Sequence, residues 1–147
     1  MIRRRNPVSA EALMKYHADR KLADQFDELL AQARDAEQEL RDAEAARAPL
    51  TDRHRLAKQL DDALTEVMRA AYAAERAAIG ARGYDDRIYR RKARATSPVK
   101  AWSAEAERLL TLRERHRLTG IPRLPRQPAT VAAGQVVGDP ATLAPGK

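Results

Sequence analysis

Residues 22–77 read LADQFDELLAQARDAEQELRDAEAARAPLTDRHRLAKQLDDALTEVMRAAYAAERA, and the placement of apolar residues and breakers in this stretch decides the fold. Its first half carries Leu22, Phe26, Leu29, Ala33, Ala36, Leu40 and Ala43, and its second half Leu56, Leu60, Ala63, Val67, Ala70, Ala74 and Ala77. In both runs the spacing alternates between four and three residues, the period of a heptad seam on an α-helix. Leu64, Met68 and Ala71 add a second row that widens the later stripe. Pro49 separates the runs, and proline costs about 3 kcal/mol inside a helix, so Ala48-Pro49-Leu50-Thr51-Asp52 is a turn. Two heptad arms joined by a short turn predict a long antiparallel, coiled-coil-like helical hairpin over residues 9–79, with helices at 9–47 and 52–79. Ser9 and Thr51 suit the N-caps. Leu22, Phe26, Leu29, Leu40, Leu56, Leu60 and Val67 are then the seam toward a partner or a sister chain. Leu13, Met14 and Tyr16 fall outside the seam's phase, so the first turns either face another partner or form a short helix bent near Asp19–Lys21.

Outward from this core, Gly80 and Gly83 end the second arm. A basic connector over 80–97 follows, in which Asp85 caps a short helix beginning near Tyr84. A third helix over 98–119 opens at Ser97-Pro98, read as N-cap and first helical residue. Val99, Trp102, Ala106, Leu109 and Leu110 form its apolar face. Arg113, Arg115, His116 and Arg117 sit at its end, where cations suit the helix dipole, and Gly120 and Pro122 stop it. Pro122, Pro125 and Pro128 recur every third residue and favour an extended strand within a tail over 120–147. Its residues Ile121, Pro122, Leu124, Pro125 and Pro128 are candidates for a docking arm; a proline-ligand reading is disfavoured because the flanking cations are misplaced for it. Residues 1–8 form a basic N-terminal arm with Arg3, Arg4 and Arg5. The expected class is therefore all-α.

Composition supports helices with thin seams. Of the 147 residues 44% are hydrophobic, but 30 of these are Ala, and Leu, Ile, Val and Phe together number only 26. That is too few for a large-cored α/β domain, and β-branched and aromatic residues are too scarce for a sandwich or barrel. A two-helix hairpin leaves each stripe wider than its single partner covers. It requires the third helix, self-association or another protein, which points to a part in a larger assembly.

Charge is divided unevenly. Residues 1–79 hold 14 basic and 15 acidic side chains, whereas residues 80–147 hold 14 basic and 6 acidic. The densest run is Arg87, Arg90, Arg91, Lys92, Arg94 and Lys100, uninterrupted by any acid and flanked by Tyr84, Tyr89 and Trp102. Guanidinium groups bind phosphates and carboxylates in bidentate fashion, so this run, with Arg3–Arg5, is the candidate surface for nucleic acid or another polyanion. Base stacking by the aromatics is a weaker reading, since Trp102 lies on the apolar face of its helix.

Little points to catalysis. There is no Cys, and His17, His54 and His116 are isolated. Asp61-Asp62 and Asp85-Asp86 are adjacent pairs whose side chains diverge by about 100° on a helix, so capping and solubility account for them. No glycine-rich phosphate loop or nucleophile elbow occurs. Neither metal, cofactor nor small-molecule substrate is expected. The basic start lacks an apolar signal region and no run is long enough to span a membrane, so a cytoplasmic protein, or one within a particle assembled there, is expected. The expected function is a structural component of a bacteriophage head or connector, or of another nucleoprotein particle. An oligomeric nucleic-acid-binding factor and a coiled-coil adaptor or chaperone for one protein are the alternatives.

Overall fold

The computed structural model describes residues 7–126. Five packed α-helices make up the fold: Ala10–Ala23 (α1), Phe26–Ala45 (α2), Leu50–Ile79 (α3), Arg87–Ala93 (α4) and Ser97–Arg115 (α5). No strand occurs among the described residues. The arrangement is organised by α3, whose inner face is buried from Ala57 to Ile79. α1 and α2 pack against it, as does α5. Asp19 of α1 meets Arg76, while Arg117, just after α5, meets Asp61 and Arg94, just before it, approaches Glu75. Ser9, just before α1, meets Asp85, beyond the end of α3, so α1 and α5 both run opposite to α3.

Phe26, Ala33 and Leu40 of α2, Leu60, Leu64, Val67 and Met68 of α3, and Ala106 and Leu109 of α5 share one core. Trp102 stands edge-on to Phe26 with ring centroids 5.0 Å apart, a favoured aromatic geometry. The seam residues Phe26, Leu40, Leu60 and Val67 are thus buried within the chain's own bundle, with Leu22, Leu29 and Leu56 half-buried at its edge. Assigning them to an oligomer seam is corrected accordingly: α5 supplies the third helix that the thin stripes require.

The expected single helix over 9–47 is two helices, broken at Asp24–Gln25. No proline or glycine lies there. Gln25 keeps helical torsions, but its N–H bonds Leu22 O at 3.0 Å, a tightened turn in place of the α pattern. The bend also falls later than the Asp19–Lys21 position expected from the sequence. Tyr16 is half-buried, and Ala12 and Asp19 turn inward with it. The inner stripe of α1 is therefore small and polar, which a search for large apolar side chains overlooks.

Capping also departs from expectation at three places. Ser9 caps α1 as expected, its Oγ accepting the Ala12 N–H at 3.1 Å, and the departures lie further along. Pro49, not Thr51, precedes α3, because proline's fixed φ suits the entry and the helix begins at once with Leu50. Thr96 rather than Ser97 caps α5, which places Pro98 in its first turn, where the missing N–H costs nothing. The short helix α4 is capped by Asp86, because the Asp85 carboxylate is occupied by the N–H and Oγ of Ser9 at 2.9 and 3.0 Å.

Two backbone positions shape the turns. α2 ends in a Schellman motif: Ala48 N–H bonds Ala43 O at 2.9 Å and Arg47 N–H bonds Glu44 O at 3.1 Å. Arg47 occupies its left-handed position, with φ of 52°. Gly80, at φ 101° and ψ 166°, ends α3 in a region essentially closed to other residues, and turns the chain into the tight 3₁₀ turn Ala81–Tyr84.

Replacing Arg47 with Gly relieves the left-handed strain and is expected to raise stability by about 0.5–1 kcal/mol in denaturant unfolding. Leu60→Ala is expected to lower it by roughly 2–5 kcal/mol, with Leu29→Ala costing clearly less because Leu29 is half-buried. Equal losses at the two positions would contradict the burial described.

Candidate polyanion-binding surface

α4 is short, so its geometry is set by its ends. The Asp86 carboxylate accepts the N–H groups of Ile88 and Tyr89, both at 3.0 Å. Those two bonds, with the nearby Arg82 charge, hold its carboxyl below the ordinary aspartate value. Arg82 lies 3.5 Å from Asp86 and stacks over the Tyr89 ring at 5.2 Å. Arg90 Nη1 donates to Gly83 O at 3.1 Å, tying α4 back to the 3₁₀ turn. Arg94 reaches Glu75 of α3 at 4.0 Å.

The six cations singled out by the sequence thus divide into two groups. Arg90 and Arg94 help hold the segment in place. Arg87, Arg91, Lys92 and Lys100 are exposed, and none has a carboxylate within ion-pair distance among the described residues. Ile88 stands among the first three with 69% of its surface exposed, so an apolar group sits inside the cationic patch. Arg3, Arg4 and Arg5 lie outside the described residues.

Of the flanking aromatics only Tyr89 stays exposed. The Tyr84 hydroxyl donates to Asp19, which also accepts from Arg76 Nε and Nη2 at 2.8 and 3.0 Å. Burial, then the bond to Asp19, pushes the Tyr84 phenol well above its ordinary value. Trp102 is committed to Phe26. Neither is placed to stack on a base.

A second polar cluster fixes where the chain leaves the bundle. Past α5 the helix widens into a π turn over His116–Gly120. Arg117 Nε and Nη2 donate to Asp61 at 2.7 and 3.3 Å, and Asp61 is only 6% exposed. His116 Nε2 donates to Ala57 O, and His54 Nδ1 to Pro122 O, each at 2.7 Å. A Cβ at Gly120 would run into the His116 ring. Ile121 packs on the core. Ile121 and Pro122, expected at the start of a docking arm, are held on the bundle, Ile121 by the core and Pro122 by His54 of α3. Leu124 and Pro125 are exposed, and Pro128 lies outside the described residues with the rest of 127–147.

The sequence reading missed the two buried-side carboxylates, although each carries a signal. Asp61 precedes Leu64, Met68 and Ala71 in the steps of their own row, and Asp19 stands three residues before Leu22 on the inner stripe. An acid in an apolar row requires a cation opposite. Here Arg117 and Arg76 supply it. His54 and His116, isolated in the sequence, are bonded to backbone carbonyls. No group of three or more His, Cys, Asp or Glu is placed to hold a metal among the described residues, and no described helix is long and apolar enough to cross a membrane.

Compared with known protein families, curated proteins and solved structures, the chain matches none.

The bond to Arg117 lowers the Asp61 carboxyl below its ordinary value, and the bonds to Arg76 and Tyr84 lower that of Asp19 against the opposing effect of burial. A lowered folded value means that the stabilisation is present above the unfolded value, near 4, and is lost as pH falls through the folded one. Melting temperature is expected to drop below about pH 4. Asp61→Asn is expected to flatten this acid limb and cost about 1–2 kcal/mol at neutral pH, less than a fully buried pair because Arg117 is 43% exposed. An unchanged acid limb would show that the pair does not couple folding to pH.

Proposed function

We infer that this protein is a non-enzymatic assembly component whose basic segment, carried by α4 and the start of α5, contacts a polyanion: nucleic acid or an acidic protein surface within a larger particle. The observation that carries the reading is the division of labour among the cations. Where a cation joins two elements of the bundle it is paired, Arg76 with Asp19 and Arg117 with Asp61. Arg87, Arg91, Lys92 and Lys100 are exposed and serve no such pair. Exposed cations that stabilise nothing internally retain their full capacity for an external anion. Arg123 and Arg126, exposed just past the anchored turn, carry positive charge onto the segment that leaves the bundle. The extended-arm half of the reading rests on the anchor itself, which gives the chain beyond Pro122 a fixed point of departure.

An oligomeric nucleic-acid-binding factor remains the second reading, supported by the same four cations. The coiled-coil part of both readings finds less support, because the chain's own bundle occupies the heptad seams.

Retention on immobilised heparin and on single-stranded and duplex DNA tests the surface. Arg87→Glu, Arg91→Glu and Lys92→Glu together are expected to lower affinity at least tenfold and flatten its dependence on salt. Arg76 is the internal control, since its loss should weaken the fold rather than reduce this slope. Unchanged retention in the triple variant would overturn the assignment. Deletion of 123–147 is expected to leave helicity and melting intact while abolishing incorporation into the assembly, whereas deletion from 121 also removes Ile121 and the His54 acceptor and lowers the melting temperature.

A further inference from the structure

The cationic patch has a counterpart of opposite sign in the same chain. α2, over 26–45, carries seven acidic and two basic residues, a net charge of −5. Residues 82–100 carry seven basic and two acidic residues, a net charge of +5. The two do not neutralise each other within one molecule: α2 packs on α3, α4 packs on the 3₁₀ turn, and no ion pair joins them among the described residues.

On α2, Glu28, Asp35 and Glu39 are exposed and unpaired among the described residues. They follow one another at seven and four residues, which sets them on one outward stripe, turned away from the buried Phe26, Ala33 and Leu40. On α4, Arg87, Arg91 and Lys92 spread over one side of the helix, with Ile88 between them. Each helix thus offers an unpartnered face, and the faces match in charge while being kept apart in the fold.

We propose that the α4 face of one molecule docks on the outer stripe of α2 of a second copy of this chain. The proposal rests on the polyanion reading of the α4 surface and names the acidic protein face that it meets. Complementary charge in unlike places makes the contact heterologous: each copy offers one donor face and one acceptor face, so assembly proceeds head to tail into a ring or a filament rather than stopping at a symmetric dimer. The charges are exposed and screened beyond about 10 Å at 0.1 M salt, so the association is salt-sensitive and driven strongly by electrostatic steering. Ile88 then gains an apolar contact on the stripe, where Ala31 is exposed beside the carboxylates.

The experiment is mass measurement by light scattering and sedimentation, over a range of protein concentrations, at low and high sodium chloride. Two variants each remove one face without touching the core: Glu28→Gln with Asp35→Asn and Glu39→Gln, and Arg87→Gln with Arg91→Gln and Lys92→Gln. Far-UV dichroism checks that both keep native helicity. The native chain is expected to grow beyond dimer at low salt and to return to monomer at high salt. Each variant alone is expected to stay monomeric, and their equimolar mixture to stop at a dimer, since only one complementary pair of faces remains. A native chain that is monomeric at low salt across the range, or a variant that self-associates like the native chain, would overturn the proposal. Heparin and a single-stranded oligodeoxynucleotide are tested against the α2 variant, whose cationic patch is intact. Retention without self-association of the native chain refutes the copy-to-copy contact alone and assigns the patch to nucleic acid. Loss of both refutes the polyanion surface itself.

Discussion

Everything in this fold depends on covering the inner face of α3. Thirty residues long, this helix is buried from Ala57 to Ile79, and much of that length is alanine. Alanine favours the helix and allows close approach, but each one buries little surface, so no single neighbour stabilises α3 sufficiently. The chain meets this with several: α2, α1 and α5 all pack on it. Where large side chains are available, as at Phe26, Leu60, Val67 and Leu109, they form the core. Where α3 becomes alanine-rich, α1 is held partly by polar contacts, with Asp19 gripping Arg76 and Tyr84.

That exchange of apolar area for ion pairs explains what a sequence reading recovers and what it loses. Large apolar residues at heptad spacing mark α2 and the first half of α3, and the breakers Pro49, Gly80 and Pro98 lie at or next to the ends of the long helices, so the all-α class and the extent of α3 and α5 are legible. The break at Asp24–Gln25 is not, because neither residue is a breaker and both keep helical torsions. It shows only in the backbone pattern, where the Gln25 N–H bonds Leu22 O and Leu29 N–H bonds Gln25 O, and no residue type marks it.

The candidate site was legible to a similar degree. A run of cations announces itself in sequence, but sequence does not say which of them the fold consumes. Arg90 and Arg94 are consumed, whereas Arg87, Arg91, Lys92 and Lys100 are not. The aromatics beside the run illustrate the same point: Tyr84 and Trp102 are adjacent in sequence to the cations yet belong to the interior, the first through Asp19 and the second through Phe26. The reverse error occurs at the C-terminal end. Arg117 is read as dipole compensation and proves to be the partner of the buried Asp61, and Ile121 is read as part of a docking arm and proves to pack, half-buried, against the core.

The distribution of unpaired charge follows from the same economy of core. A bundle with so little aliphatic surface uses some of its arginines between elements, Arg76 with Asp19 and Arg117 with Asp61, while Arg41, Arg69 and Arg108 pair within their own helices. Among the exposed charges left over, one group of carboxylates lies on the outer stripe of α2 and one group of cations on α4. Within one molecule this segregation brings no stabilisation, and like charges gathered on one face repel. It becomes favourable only when another surface of opposite sign is brought to it.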